Sequence, residues 1–391
     1  MLLSTCTTFA LKSKIMDNPF VIRGYHSKEL FCDRESELAI LIKNCTNGAD
    51  TTIISLRRMG KTGFIYRLFD EIRDTVKDVT PIYVDIYASR SLSDFIKSLS
   101  ESILKAFPEK TPLGERFMAF IKSLRPLITF DAITGEPQFQ INYQSEQEKE
   151  YTLRGIFDIL EKQGMHILLA IDEFQQIREY PEKNMEELLR TYIQPLKNVN
   201  FIFCGSKKHM MIDIFNNAKR PFYASTKFIM LEEISTKSYN KFIEKNFAMN
   251  GRSISSKAIK YILDWTKRHT YYTQSLCHTV FSNDDKDIGI EAVKKACLQT
   301  FQQNESVYFQ YRRLLTDNQW NFLIAVAKEQ QVKQISSIKF ISKYNIGTPA
   351  SAKRIVESLC DKELLAESTT KEGTFYFVYD VFFSRWLERE Y

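Results

Sequence analysis

The chain is predicted to hold an α/β core, with a parallel sheet covered by helices on both faces, then a helical bundle and a C-terminal helix-turn-helix with a β-wing. Three stretches of its 391 residues carry that prediction. The first, TTIISLRRMGKTGFIYRLFD (Thr51–Asp70), runs from a β-branched strand through a tight loop into a helix. The second, HILLAIDEFQQI (His166–Ile177), is an unbroken apolar run closed by two acids, which suits a parallel strand buried on both faces. The third, beyond residue 312, reads helix, helix, turn, helix, hairpin. Strand and helix patterns alternate over residues 50–232, as parallel sheets require.

Composition narrows the rest. At 44% hydrophobic and 26% charged residues the chain is ordinary globular protein, which excludes collagen-like, disordered and coiled-coil classes. Its length suits two or three domains at roughly 150 residues each. No apolar run reaches the roughly 18 residues of a membrane span, so no membrane partner is expected. Lys and Arg total 54 against 48 Asp and Glu, a net charge of 54 − 48 = +6, which permits nucleic-acid contact without requiring it. The seven cysteines are scattered without a CxxC, indicating reduced thiols and a cytoplasmic setting. The five histidines form no HExxH, so imidazoles in the core or on the surface are expected rather than a metal centre. MLLSTCTTFALKSKIM lacks the charged start of a signal peptide; residues 1–16 read as a disordered leader, with Met16 the more natural start.

In the first stretch, strand, loop and helix give GKT the context of a P-loop. Backbone N–H groups of the loop and of the helix N-terminus converge on phosphate oxygens. Ser55, Arg57, Arg58, Met59, Gly60, Lys61, Thr62 and Gly63 form the candidate cradle. Lys61 supplies a point charge between β- and γ-phosphates, and the Thr62 hydroxyl ligates Mg²⁺. The first glycine of the pattern is replaced by Ser55, whose Cβ restricts the backbone there. Two readings of Arg58 stand: a phosphate contact, or a partner for an acid that shapes the loop. The bland alternative for the whole stretch is a helix N-terminus with an incidental lysine.

Asp172 and Glu173 end their strand on the side where open α/β sheets place ligands. Asp172 would hold the Mg²⁺ water shell and Glu173 would polarise the attacking water. A further strand, NVNFIFCGS, ends in Gly205 and Ser206: either a polar group beside the γ-phosphate or a plain turn. TPIYVDIY and DFIKSLSESILKAF add another strand–helix pair. LITFDAITGEPQFQINY reads as a hairpin inserted near 124–144, with Gly135 and Pro137 in its turn, and surface decoration is favoured over partner contact.

Residues 235–300 read helical throughout, in four periodic segments joined by NGRS and NDDKD. TDNQWNFLIAVAKE, capped by Thr316, opens the C-terminal part. Its third helix carries Lys353 and Arg354 and its wing Lys371, interleaved with Glu357, Asp361, Glu363, Glu367 and Glu372. DNA contact and protein docking both stay open.

These stretches resemble the archaeal-type ATPase family of P-loop NTPases, near the AAA+ and STAND branches. FCDRESELAIL, SLRRMGKT, PIYVDIY, AIDEFQQI, FIFCGSKKHMM, RHTYYTQSLC and VYDVFFSRWL carry the resemblance over roughly residues 17–389. It implies an ATPase core at 17–234, a helical lid at 235–305 that closes over nucleotide, and a winged helix at 306–391. It implies ATP rather than another nucleotide, with Mg²⁺. Phe31–Glu35 looks like the family's adenine box, making Phe31 and Arg34 nucleotide contacts. Lys61, Thr62, Asp172 and Glu173 match its Walker residues, and Ser206 falls in its sensor-1 region. The family's Gly-Arg after sensor 1 is absent; PFYAST stands there, leaving Arg220 as finger substitute or surface charge. For Tyr271 and Tyr272 core packing is favoured over lid contact. The implied function is an ATP-hydrolysing molecular switch acting through its winged helix, with self-association or a protein partner possible in principle. The alternative is a DNA-binding regulator or docking protein with a vestigial nucleotide site.

Overall fold

The computed structural model describes residues 18–391 apart from residues 77, 125–126, 131–136, 163 and 371. The leader, Cys6, the hairpin turn at Gly135 and the wing residue Lys371 therefore lie outside the described residues. Two compact units emerge: Arg23–Tyr239 with His269–Tyr271, and residues 18–22 with Asn240–Arg268 and Tyr272–Tyr391.

In chain order the first unit comprises α1 (Glu35–Thr46), β1 (Thr51–Ile54), α2 (Lys61–Thr75), β2 (Val79–Asp85), α3 (Leu92–Ala106), α4 (Pro112–Ser123), β3 (Leu127–Phe130), β4 (Pro137–Gln140), α5 (Glu146–Glu161), β5 (His166–Asp172), a 3₁₀ turn (Phe174–Glu179), α6 (Met185–Ile193), β6 (Val199–Gly205), α7 (Lys208–Asn216) and β7 (Lys227–Met230). Five strands form one sheet in the order β2-β5-β6-β1-β7. Every pairing in it is parallel. Alternate residues of a strand face opposite sides, and the core divides accordingly. Ile167, Leu169 and Ile171 pack with Phe95, Leu99, Phe117 and Phe157 from α3, α4 and α5. Leu168 and Ala170 pack with Leu38, Leu41, Phe64 and Leu68 from α1 and α2. This two-faced burial is why β5 reads as a continuous apolar run. β3 and β4 pair antiparallel, as the inserted hairpin requires.

The second unit contains α8 (Thr236–Ala248, entering it at Asn240), β8 (Ser253–Ile254), α9 (Ser256–Trp265), α10 (Thr270–Ser282, from Tyr272), β9 (Asp287–Ile288) and α11 (Ile290–Leu314), then α12 (Asp317–Glu329), α13 (Ile338–Tyr344), α14 (Pro349–Asp361), the wing strands β10 (Leu365–Thr370) and β11 (Gly373–Val378), and α15 (Val381–Glu390). Three expectations change here. Residues 235–300 are not helical throughout: Ser253–Ile254 and Asp287–Ile288 form a short parallel pair, and α9 stops at Trp265 because Lys267 and Arg268 take positive φ of 52° and 54°. Helix α11 runs unbroken past residue 305, the expected lid boundary, with Tyr308 buried beside Phe383 and Trp386 of α15. Phe20, expected with the ATPase core, is buried among Phe242, Phe247 and Phe281 of the second unit, where an aromatic cluster takes its ring out of water. The Thr316 cap forms a full capping box with Gln319.

Candidate functional site

The loop between β1 and α2 is shaped by two left-handed residues. Arg58 has φ 62° and Gly60, the N-cap of α2, has φ 88°. Space is no constraint at Gly60, since an added Cβ would sit 3.5 Å from Thr270; the positive φ alone favours glycine. Ser55 is absent from the positive-φ residues, so the strain expected from its Cβ falls on Arg58 instead. Helix α2 starts without a side-chain cap, leaving its first-turn amides available to an anion.

The sheet topology delivers the acids to this loop. β5 is separated from β1 by β6 alone, and all three strands end on the same side. Lys61 Nζ lies 2.8 Å from Asp172 Oδ1 and 3.0 Å from Glu173 Oε1. Thr62 Oγ1 donates to Asp172 Oδ2 at 3.0 Å. The phenol of Tyr83 donates to the same oxygen at 2.8 Å, and the Glu173 amide donates to Oδ1 at 2.9 Å. Ser206 Oγ and Gln175 Nε2 both donate to Glu173 Oε2, at 2.7 and 2.5 Å. Glu173 itself sits at φ 57°, where the chain leaves the strand for the 3₁₀ turn. Lys61, Thr62, Asp172, Glu173 and Ser206 thus meet in one network.

Burial decides its electrostatics. Lys61 and Asp172 are 7% and 3% exposed. Burial pulls the Lys61 ammonium down, but Asp172 and Glu173 carry it above its ordinary value. Burial pushes the Glu173 carboxyl up, while the charge of Lys61 and the bonds from Gln175 and Ser206 hold it below the usual carboxylate range. Burial, and then Asp172, raise the Tyr83 phenol, which stays protonated and can only donate to a carboxylate.

The remaining candidates divide. Met59 is buried in the loop, and the Phe31 ring covers Gly63, 3.4 Å from where a Cβ would stand. Arg57 stacks on Tyr87 and Arg58 on Tyr271, at 5.4 and 4.7 Å from the ring centroids. Arg34 is engaged elsewhere: it pairs with Glu37 at 2.9 Å and donates to the Glu232 carbonyl, tying the start of α1 to the segment after β7. Arg220 is held by Asp213 at 2.8 Å and Glu186 at 3.3 Å. Tyr272 is buried against Phe382 within the second unit.

Three residues next to this network carried no signal specific enough to single them out. Tyr83 and Gln175 join it directly, and His269 is buried against the loop backbone at Arg57. The alternation in PIYVDIY puts Tyr83 and Asp85 on one face; the register that sets Asp85 opposite Asp172 belongs to the folded sheet.

Chemically, the residues fit a nucleotide triphosphate with a divalent cation. The buried Ser55 Oγ has no hydrogen-bond partner among the described residues, so the loop begins with an orphaned donor. The loop's end and the start of α2 add an ammonium and uncapped helix amides, and the Thr62 hydroxyl lies 3.0 Å from the Asp172 carboxylate, the hard oxygen donors that Mg²⁺ takes.

The family described as "ATPase domain predominantly from Archaea" matches residues 31–274, and "Probable winged helix domain" matches residues 306–389. No curated protein matches the chain. Among solved structures, a Walker-type ATPase of Pyrococcus abyssi is similar with a TM-score of 0.63 at 18% identity, over 94% of this chain and 99% of that one. The ORC2 protein of Aeropyrum pernix, solved with ADPNP and ADP, is similar with a TM-score of 0.57 at 13% identity, over 95% of each chain. At these identities the likeness is one of fold. Among the described residues no helix is long and apolar enough to cross a membrane.

Proposed function

We propose, from the premise that the chain belongs to the ATPase-domain family found predominantly in Archaea, that it is a cytoplasmic ATP-binding protein that hydrolyses ATP with Mg²⁺ and passes its nucleotide state to its winged helix. The observation that carries this reading is the meeting of Lys61 with Asp172 and Glu173 at 2.8 and 3.0 Å, the lysine and Glu173 standing 112 positions apart in the sequence.

In this reading the Lys61 ammonium exchanges its two carboxylates for phosphate oxygens, with the Ser55 hydroxyl and the α2 amides beside it. Thr62 and Asp172 would hold Mg²⁺, which neutralises charge on the phosphates when bound. Release of Lys61 leaves Glu173 with Ser206 and Gln175 on one oxygen and frees the other to accept a proton from water. Phe31, lying over Gly63, is assigned to the base end of the nucleotide. The test is ATP turnover. Glu173→Gln should keep ATP binding and lose at least about 100-fold in kcat, whereas Lys61→Ala should lose binding itself. Unchanged nucleotide affinity in Lys61→Ala would overturn the reading.

A second partner is favoured by one observation. Helix α14 exposes Lys353 and Arg354 side by side at a winged helix's third helix. We assign DNA to that face as the alternative role, with affinity that falls as salt rises. Affinity indifferent to salt would point to protein docking.

A further inference from the structure

We propose that Tyr83 is a positioning residue for Asp172, fixing the carboxylate that faces the divalent cation; this rests on the nucleotide reading above. Asp172 accepts two bonds on each oxygen: Lys61 and the Glu173 amide on Oδ1, Thr62 and Tyr83 on Oδ2. Lys61 and Thr62 are the two donors that the proposed function turns toward phosphate and cation. The donors that then remain are the Glu173 amide, fixed by the backbone, and the Tyr83 phenol.

Tyr83 is built to stay. Strands β2 and β5 run in register from Val79↔His166 to Asp85↔Asp172, so the phenol is carried on the strand beside its acceptor. Its ring packs at 5.1 Å against Tyr66, one helical turn beyond Thr62 on α2. Strand and helix thus both locate the ring, and one donor per oxygen, each from a rigid group, holds the carboxylate plane. Outer hydrogen-bond partners of metal-binding carboxylates are worth about 10- to 100-fold in metal affinity or activity. Phenylalanine at this position would keep the ring and remove only the bond to Oδ2.

The test uses the full chain with ADP and Mn²⁺, free Mn²⁺ being counted by its paramagnetic resonance signal. Tyr83→Phe should bind Mn²⁺ in the ADP complex about tenfold more weakly than native protein. Its ADP affinity without metal and its urea midpoint should match native. Val84→Ala, which loosens the same strand on the opposite face, should keep native Mn²⁺ affinity. Equal Mn²⁺ affinity in Tyr83→Phe, or an equal loss in Val84→Ala, overturns the positioning role while leaving the nucleotide reading intact. Failure of native protein to bind ADP overturns both.

Discussion

The ammonium of Lys61 lies 2.8 Å from Asp172 Oδ1, although strand β6 stands between the strands that lead to them. With Glu173 at 3.0 Å, one buried cation balances two carboxylates. Removing it strands both charges away from water, and breaking a buried pair costs far more than the pair's net worth. Lys61→Ala should therefore lose nucleotide affinity and also destabilise the nucleotide-free protein, by about 3 kcal/mol. Urea denaturation without nucleotide checks this; a loss near zero would mean that Thr62, Tyr83 and the Glu173 amide suffice to hold the acids.

Ser206 Oγ donates to Glu173 Oε2 at 2.7 Å, alongside Gln175 at 2.5 Å. Burial raises the Glu173 carboxyl, and these donors help Lys61 to bring it below the ordinary range. A bond to the charged form lowers a carboxyl pKa, so its removal raises it. In Ser206→Ala the acid limb of kcat/KM should move to higher pH, while Ser206→Thr, which keeps the hydroxyl, should restore the native profile. A profile unmoved by Ser206→Ala would show that this bond is absent when nucleotide is bound.

Much of this site is legible from sequence because the strands are short and the acids sit at a strand end. β5 announces itself by Ile167–Ile171, and GKT by its strand and helix. What the sequence hides is register. Nothing in PIYVDIY states that Tyr83 will stand within 2.8 Å of Asp172, because that distance depends on pairing between segments separated by α3, α4, the inserted hairpin and α5. The strain expected at Ser55 falls on Arg58 for a similar reason: which loop residue turns left-handed depends on what the loop packs against, here Tyr271, whose amide donates to the Arg58 carbonyl at 3.1 Å. The helical reading of 235–300 missed a strand pair because two-residue strands leave no period to detect.

His269 gives a pH-dependent test of that same packing. Burial, and to a smaller extent Arg58, lower its imidazole to about 4, against a bond to the Arg57 backbone that raises it. The folded state thus keeps His269 neutral, while the unfolded chain takes up a proton below about 6.5. Stability from this group is complete above 6.5, falls as pH drops and is gone below about 4. Between pH 7 and pH 5 native protein should lose about 2 kcal/mol more than His269→Gln, which cannot titrate. Carboxylates shared by both proteins cancel in the comparison of urea denaturation curves. Parallel losses in the two would place His269 in water.

Arg385 joins the winged helix to the helical bundle within the second unit. From α15 its Nε donates to the Trp265 carbonyl at 3.0 Å and its Nη2 to the Asp264 carbonyl at 2.9 Å, where α9 ends, and Glu388 holds it at 2.8 Å. A cation on the last carbonyls of a helix satisfies orphaned acceptors and complements the helix dipole. Phe382 reinforces the joint, its ring 5.3 Å from Trp265 and 4.8 Å from Tyr272. A switch that passes nucleotide state to its winged helix needs the bundle and winged helix to move together, and this joint supplies that rigidity. Arg385→Ala should cost about 2 kcal/mol through lost charge-assisted bonds and split one unfolding transition into two. ATP should change amide exchange in α14 of native protein and leave it unchanged in Arg385→Ala, with nucleotide affinity the same in both. If α14 responds to ATP equally in the variant, the coupling runs through Phe382 or the long α11 rather than through the arginine.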